Sequence, residues 1–435
     1  VVSSCCGAAW RDGWADAGRR VSLVVVTGGA GCRRLGRTST VMQEAECVLE
    51  HVHPSPGEVR RIQRELLGHE RDRARATAGG SSVRNAPAAW RVNWVTAGHG
   101  GAGLLVFVRE RDMVSAMNGA VMRIFIAGAS GAIGSHLVTQ LVARGHEVVG
   151  TTRSADKMGA LRALGAEPVV VDVLDPDSVA DVVAKAEPEV IVHQLSALSG
   201  ASTMREMKRM AAATNRLRTE GTDHLLAAAR AVGVRRFVAQ SNSLWMERTG
   251  GPVADESGRL EPNPPPDAEP AVAALRHVEA AVTGITWADG IVLRYGSFYG
   301  PGTGLSVRPD GITTEQIRKR KFPIIGDGGG VWSLVHITDA ASATVAAVER
   351  GNSGIYHVAD DDPAPVRVWL PYLARTLGAE PPRRVPAWLA RPLAGQGAVD
   401  MMTRARGISC DETRRELAWT PQYRSWRTGF TDGLS

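Results

Sequence analysis

Short apolar runs alternate with amphipathic stretches from residue 122 onward. The apolar runs predict strands at residues 124–127, 147–152, 168–172, 190–193, 236–241 and 290–295. Helical periodicity predicts helices at residues 155–164, 177–186, 215–232 and 270–282. This alternation predicts an α/β fold of the Rossmann type, with a doubly wound parallel sheet and helices on both faces. Ligands of such sheets bind at the carboxyl ends of the strands, so the residues that follow each strand are the candidates for function.

The first predicted strand runs into three evenly spaced glycines, Gly128, Gly131 and Gly134. An amphipathic stretch with Ile133 and Leu137 on one face follows at once. A strand, a tight turn and a helix start in this order form the geometry that holds a dinucleotide pyrophosphate, because glycines let the backbone approach the phosphates and the helix start offers N–H groups. The predicted cofactor turn consists of Gly128, Ala129, Ser130, Gly131, Ala132, Ile133 and Gly134.

The ends of the second and third predicted strands bear on the choice of coenzyme. Enzymes that use NAD place an acidic side chain near the end of the second strand, whereas this chain has Arg153 there. We therefore expect Arg153 to pair with the 2′-phosphate of NADP. NAD is the other possible coenzyme, and the simpler interpretation of Arg153 is an ordinary exposed arginine. Asp172, with its neighbour Val173, is a candidate contact for the adenine, or a turn residue.

Composition narrows the class of protein. The chain has 435 residues and a formal net charge of +6, too mild to indicate nucleic acid as a partner. No apolar run approaches the roughly 20 residues that a membrane helix needs. Four of the five cysteines precede residue 50 in spacings that match no paired-ligand pattern, so we predict no metal site and no disulfide framework. These features favour a cytoplasmic protein.

Residues 1–121 differ from the rest of the chain. They contain no lysine and show no sustained period of a helix or a strand. A glycine-rich run at residues 24–31 imitates a phosphate-binding turn, but no apolar helix follows it. Met122 stands directly before the first predicted strand. We predict that this segment is a disordered or irregular extension, or upstream sequence from a wrong start site.

From Met122 to about Phe430 the chain resembles the extended short-chain dehydrogenase/reductase group, the NAD-dependent epimerase/dehydratase family. The segments that carry the resemblance are residues 128–134, 192–197, 215–226, 233–241, 293–302, 335–341 and 416–430. The resemblance implies an NAD(P)-binding Rossmann domain at residues 122–301 and a substrate-binding region at 302–435, with residues 331–360 returning to the first domain.

The resemblance also implies further site residues. Leu195, Ser196 and Ala197 would line the cofactor near its ribose and nicotinamide, and Tyr295, Gly296 and Phe298 would lie along the nicotinamide. Asn215 would be a structural helper of the site, or simply a residue at a helix start. Asp339 is expected to cap the helix that follows it.

The chain departs from the family at the residues that transfer protons. The family uses a Tyr-x-x-x-Lys pair, and if Glu279 matches the family's glutamate, that pair is replaced by Ala271 and Leu275. Arg276 or His277, beside the missing lysine, could substitute electrostatically. The remaining candidates for catalysis are two hydroxyls after the fifth strand and two nearby phenols, namely Ser241, Ser243, Tyr295 and Tyr299.

These observations predict an oxidoreductase that prefers NADP and acts on a small carbonyl or alcohol. Loss of the Tyr-Lys pair leaves open a second function, an inactive NADP-binding regulator, since one fold hosts many functions. A third function, a sugar-nucleotide epimerase or dehydratase, would need the pair that is missing. We expect a small-molecule substrate and a monomer or homodimer, without nucleic acid or membrane partners.

Overall fold

A computed structural model describes the chain in part. It describes residues 22–23, 90–96, 103–109, 121–197, 204–309 and 311–435. The chain divides into two compact units, Val1–Ala120 and Val121–Ser435.

The described part of the first unit is an antiparallel sheet. Its strands are β1 (Ser22–Leu23), β2 (Trp90–Thr96) and β3 (Gly103–Arg109), in the order β1-β3-β2. The sequence pattern did not predict these strands. The glycine-rich run at residues 24–31 and the early cysteines lie outside the described residues, so the predictions made for them stay predictions.

The second unit is built on a parallel sheet of seven strands. They are β4 (Arg123–Ala127), β5 (Glu147–Thr152), β6 (Glu167–Val170), β7 (Val190–His193), β8 (Arg236–Asn242), β10 (Asp289–Tyr295) and β15 (Gly354–Val358). Their spatial order is β6-β5-β4-β7-β8-β10-β15, and every neighbouring pair is parallel. The predicted doubly wound Rossmann-type sheet is therefore confirmed. The strands β5 and β6 are added on one side of β4, and the next strand, β7, is added on its other side. Such sheets bind their ligands at this change in strand order.

Helices cover both faces of this sheet. Those of the second unit are α1 (Ala132–Ala143), α2 (Met158–Ala163), α3 (Pro176–Ala186), α4 (Met204–Arg218), α5 (Glu220–Ala231), α6 (Glu269–Thr283), α7 (Ile312–Arg318), α8 (Ile337–Arg350), α9 (Val366–Thr376), α10 (Ala387–Arg404), α11 (Asp411–Leu417) and α12 (Trp426–Asp432). Apolar residues of α1 and α8 form the core on one face, and those of α3, α5 and α6 form the core on the other. None of the helices in the described part of the chain is long and apolar enough to cross a bilayer.

Short paired strands and the last helices make up the rest of the second unit. The pairs are β9 (Val253–Ala254) with β18 (Gly407–Ile408), β11 (Ser297–Tyr299) with β14 (Leu334–His336), β12 (Ile324–Ile325) with β17 (Arg384–Val385), and β13 (Val331–Trp332) with β16 (Ala364–Pro365). Trp369, Trp426 and Phe430 are completely buried in a separate core of this region. The chain returns from it through α8 to β15, the edge strand of the sheet.

Two local predictions were wrong. The helix predicted at residues 215–232 is two helices, α4 and α5, because Thr219 leaves the helical conformation with ψ of −83°. Asn215 therefore lies near the end of α4 and not at a helix start. The residue that caps α8 is His336, whose side chain accepts a hydrogen bond from the Thr338 amide, whereas the predicted cap Asp339 lies inside the first turn.

Candidate active site

The turn after β4 has a backbone that requires glycine. Gly128 has φ of +94°, and a Cβ placed there would lie 2.8 Å from the carbonyl oxygen of Gln194. A Cβ on Gly134 would lie only 2.2 Å from the Gly128 carbonyl oxygen. At Gly131 the nearest atom to an added Cβ is the same oxygen, at 3.2 Å. The first and third glycines therefore fold the turn onto β7 and α1, as the spacing predicts.

The helix start behind this turn is open to an anion. Gly131 caps α1 without a side-chain hydrogen bond, and the first turn of the helix contains no acidic residue. The Gly131 amide donates to the Gly128 carbonyl at 3.0 Å, and the Gly128 amide donates to Oγ1 of Thr151 at 3.0 Å. The turn is thus held by its own backbone and by β5, and its helix end is available to a phosphate group.

The end of β5 presents a basic side chain. Arg153 is exposed and makes no hydrogen bond or ion pair with the residues that the structure describes. Next to it, the Ser130 hydroxyl donates to Oγ1 of Thr152 at 3.2 Å, which ties the glycine turn to this strand end. The nearest acid in the sequence, Asp156, accepts a hydrogen bond from Ser154. This surface is suited to a phosphate.

The predicted adenine contacts lie beyond the end of β6. Asp172 is exposed, and its carboxylate accepts a hydrogen bond from the Leu174 amide at 3.1 Å, so it is a turn residue in this structure. Val173 is buried, and its carbonyl oxygen lies 2.9 Å from Nδ1 of His224. A contact of either residue with adenine stays a prediction.

The segment after β7 reaches toward α4. The Ala197 amide donates to Oγ1 of Thr214 at 3.0 Å, and the Leu195 amide donates to Nδ1 of His193 at 3.3 Å. Leu195 and Ala197 are half-buried, whereas Ser196 is exposed.

Two buried oxygens beyond the ends of β7 and β10 have no partner among the described residues. They are Oε1 of Gln194, just after β7, and Oγ of Ser297, just after β10, and neither forms a hydrogen bond with the described residues. Native proteins rarely leave such atoms unpaired, so a bound group that supplies hydrogen bonds is expected here. Together with the glycine turn and the open helix end, these atoms fit a dinucleotide. The predicted site residues did not include Gln194, although it directly follows β7.

Ser241 belongs to a buried network below the site. It is completely buried, and its hydroxyl donates to Oε1 of Glu279 at 2.7 Å. Arg294 holds the same carboxylate in a two-point contact, through Nε at 2.8 Å and Nη2 at 2.7 Å. This arrangement supports a structural role for Ser241.

Ser243 differs from Ser241 in its surroundings. Its amide donates to the Tyr295 carbonyl at 3.0 Å, which places it at the strand end. Its hydroxyl makes no hydrogen bond with any described residue and is not sealed from solvent. Asn242 beside it is half-buried and uses its carbonyl oxygen to accept from the Leu244 amide at 3.2 Å, which leaves its NH₂ group as a donor. These two side chains can orient a substrate.

The Tyr295 hydroxyl is enclosed in a chain of hydrogen bonds. Gln194 Nε2 donates to it at 3.0 Å, it lies 2.6 Å from Oγ1 of Thr344, and that hydroxyl donates to the Ala340 carbonyl at 2.8 Å. Burial raises the pKa of Tyr295 far above its usual value. A buried phenol with a raised pKa is a poor proton donor at neutral pH, so this geometry supports packing and not acid catalysis.

Tyr299 lies in the core of the C-terminal region. Its ring packs edge-on against His336 and Phe430, with centroids 5.2 Å apart in each case. Its hydroxyl is buried without a partner among the described residues, and burial raises its pKa strongly. Phe298, next to it, packs against the ring of Tyr295 at 5.3 Å, while the Gly296 amide donates to the Val358 carbonyl at 2.9 Å. A catalytic role for either phenol stays a prediction that the geometry does not favour.

If Glu279 matches the family's glutamate, the two positions of the Tyr-Lys pair hold apolar residues. Leu275 is completely buried and packs with Trp245, Met246 and Val272, and Ala271 is half-buried one turn before it. The two side chains that could substitute for the lysine contact other groups. Oδ1 of Asp223 lies 2.8 Å from His277 Nε2 at the protein surface, and Arg276 contacts the Glu261 carbonyl and Glu269.

Comparison with known proteins agrees with this geometry. Residues 124–359, more than half of the chain, match the NAD dependent epimerase/dehydratase family. A 3-diazoavenalumate denitrifying reductase from a Streptomyces species is 47% identical over 312 residues, which cover 71% of this chain and 99% of the relative. The chain belongs to the NAD-dependent epimerase/dehydratase family. The predicted enzyme class, an NAD(P)-dependent oxidoreductase, is confirmed.

More distant proteins share the fold. A 4-hydroxy-2-methyl-3-oxo-4-farnesyl-3,4-dihydroquinoline-1-oxide ketoreductase from Stigmatella aurantiaca is 28% identical over 332 residues, which cover 68% of this chain and 92% of the relative. The crystal structure of UDP-glucose 4-epimerase from Thermotoga maritima matches with a TM-score of 0.58 at 20% identity, covering 72% of this chain and 97% of that one. The Rossmann-type core is therefore common to members with different chemistry.

Proposed function

We propose that this chain is an NADPH-dependent reductase whose substrate accepts a hydride without a proton from the protein. The observation that carries the proposal is the replacement of the family's Tyr-Lys pair by Ala271 and Leu275, with Leu275 completely buried in an apolar cluster. Reduction of a ketone produces an alkoxide, which needs a proton donor near the reacting oxygen. This chain offers no such donor at the usual place.

A diazonium group removes that need. It is a cation, so addition of a hydride gives a neutral product directly. When bound, the reduced nicotinamide supplies the hydride, and the net change is R–N₂⁺ plus H⁻ to R–H plus N₂. The diazo substrate and the word denitrifying in the name of the Streptomyces relative support this substrate class. We propose an aryl diazonium compound as the substrate.

The residues of this chain have distinct parts in that reaction. The turn from Gly128 to Gly134 and the open end of α1 would hold the coenzyme diphosphate. Ser243 and Asn242 would donate hydrogen bonds that orient the substrate at the end of β8. Trp245, buried next to Leu275, adds to an apolar surrounding that excludes water. Exclusion of water protects both the hydride donor and the diazonium group from side reactions.

A matched pair of substrates tests the proposal. Wild-type protein should consume NADPH and release equimolar N₂ from 4-carboxybenzenediazonium, but leave the ketone 4-acetylbenzoate unreduced. Heat-inactivated protein measures the uncatalysed reaction. Reduction of the ketone at a comparable rate would contradict the proposal. No turnover of either compound would instead favour the second candidate, an inactive NADP-binding regulator, which the absence of the Tyr-Lys pair also supports.

The coenzyme preference has a separate test. Arg153 at the end of β5 is exposed and unpaired among the described residues, and it would form a charge-assisted contact with a 2′-phosphate. Arg153→Ala should weaken NADPH binding by about tenfold and leave NADH binding unchanged, as measured by coenzyme fluorescence. Arg162→Ala, an exposed arginine on α2, serves as the control. Equal affinity of the wild type for both coenzymes would contradict the NADP assignment. Cytoplasmic location and a monomeric or homodimeric state stay predictions.

A further inference from the structure

Arg218 is a buried arginine without a counter-ion among the residues that the structure describes. It is the last residue of α4, and only 7% of it is exposed. Its guanidinium forms no hydrogen bond or ion pair with any residue of the described part of the chain, although none of its nitrogens is completely enclosed. Burial lowers its pKa to about 10, so the group is still charged at neutral pH.

Two other arginines show what is unusual about Arg218. Arg236 is also 7% exposed, and its Nη2 lies 3.0 Å from Oδ2 of Asp289. Arg294 is 3% exposed, and it contacts Glu279 at 2.7 Å. A buried charge that lacks such a partner destabilises the fold, so an unpaired one points to a ligand that completes the pair.

The neighbours of Arg218 place it near the carboxyl end of β7. Thr214 lies one turn before it and accepts from the Ala197 amide at 3.0 Å. Thr222 lies in the first turn of α5, with its hydroxyl 3.1 Å from Nε2 of His193. In the sequence, Arg218 lies between Thr214 and Thr222. These two residues contact Ala197 and His193, at and just beyond the carboxyl end of β7. The pKa of His193 falls to about 4 because of burial, and the positive charge of Arg218 contributes to the decrease.

We propose that Arg218 binds a carboxylate of the substrate, so that the reductase acts on an organic acid anion. The inference rests on the proposed function in taking the ligand to be the reductase's substrate. The coenzyme diphosphate is the other anion at this edge, but its place is at the start of α1, whose apolar face packs on one side of the sheet. Arg218 is followed directly by α5, which packs with α6 on the opposite side, where the missing Tyr-Lys pair would be. The acid anion in the name of the Streptomyces relative is consistent with this assignment.

Two unreactive probes of the same shape test the assignment. Trans-cinnamate and trans-cinnamamide differ in the charge of one group, and calorimetry measures the binding of each to the protein saturated with NADP⁺. Wild type should prefer the carboxylate by at least about tenfold. Arg218→Gln should abolish that preference without a change in NADP⁺ affinity, and Arg218→Lys should keep part of it. Arg216→Gln, an exposed arginine on the same helix that pairs with Glu220, is the control and should bind like the wild type.

Stability supplies the second measurement. Because Arg218 has no partner in the described part of the chain, Arg218→Gln should raise the melting temperature of the ligand-free protein, whereas an arginine with a structural partner would lower it when replaced. A lower melting temperature, an unchanged preference for cinnamate, or a parallel loss of NADP⁺ affinity would each overturn the assignment. Neither measurement needs turnover. Failure to reduce diazonium compounds would therefore refute the proposed reaction while the carboxylate preference still decides the role of Arg218.

Discussion

The two halves of the sheet's carboxyl edge are built differently. At the ends of β4, β5 and β7 the backbone forms the site, through the glycine turn and the open start of α1. At the ends of β8 and β10 the site depends on side chains, and there the chain has departed from its family. Ala271 and Leu275 replace the proton-transfer pair, while Tyr295 and Ser241 are engaged in buried networks. A turn that depends on the backbone can be retained while the side chains beside it change.

The largest expected effect is on coenzyme binding, at the ends of β4, β5 and β7. Gly134→Ala would place a Cβ 2.2 Å from the Gly128 carbonyl oxygen, so the turn and α1 must move apart. We expect coenzyme binding to weaken by about a hundredfold or more, because the backbone then no longer fits the diphosphate. Coenzyme fluorescence measures the change. Gly159→Ala, where an added Cβ meets nothing within 4 Å, is the control. Similar affinity in both variants would show that the turn does not hold the coenzyme.

The buried ion pair near the ends of β8 and β10 should contribute strongly to the free energy of unfolding. Glu279→Gln removes the partner of Arg294 and leaves that guanidinium buried and uncompensated. We expect a loss of about 3–5 kcal/mol in the free energy of unfolding, measured with urea. Glu315→Gln removes an exposed carboxylate on α7 and should change stability by less than about 1 kcal/mol. Equal effects of the two substitutions would mean that the Glu279 network is not structural.

A carboxyl group after β15 should make stability depend on pH. Asp360 is buried, and desolvation raises its pKa to about 8, with the charges of Asp362 and Asp361 adding to the increase. The unfolded group ionises near about pH 3.9, so between these values the folded state binds more protons and stability falls as pH rises. Asp360→Asn should remove this contribution and lose less stability from about pH 5 to pH 8 than the wild type. The melting temperature of each protein, measured from about pH 5 to pH 8, checks this prediction. The same change of melting temperature with pH in both proteins would contradict the raised pKa of Asp360.

The two serines after β8 should behave differently. Ser241→Ala removes a hydrogen bond to Glu279 and should lower the free energy of unfolding by about 1 kcal/mol with little change in kcat/KM. Ser243→Ala removes a hydroxyl that has no protein partner in the described residues, so it should leave stability nearly unchanged and lower kcat/KM. Urea unfolding and turnover of 4-carboxybenzenediazonium give both values. A reversed pattern would place Ser241 in the substrate site.

Local patterns predicted much of the fold. Strands β5 and β7 begin and end at the predicted residues, because β-branched residues make up most of each. The glycine turn could also be predicted, because its geometry depends on residues that are neighbours in the sequence. The break at Thr219 was not, because the helical pattern continues through it.

Contacts between residues far apart in the sequence could not be predicted. The partner of Tyr295 is Thr344, and the partner of Ser241 is Glu279, each on another element. Asp339 satisfies the amides of Gln422 and Tyr423 near the end of the chain, a role that no nearby residue indicates. The burial of Arg218 likewise depends on elements that meet only in the folded chain. Such roles require the tertiary structure.

Isotope effects on diazonium reduction test the central claim most directly, namely that this enzyme transfers a hydride without a proton from the protein. The rate of the chemical step in a single turnover should be lower with NADPH deuterated at the transferred position. The rate should be the same in H₂O and D₂O and constant between about pH 6 and pH 8, because no protein group must ionise. A slower reaction in D₂O, together with a rate that titrates in that range, would contradict the account.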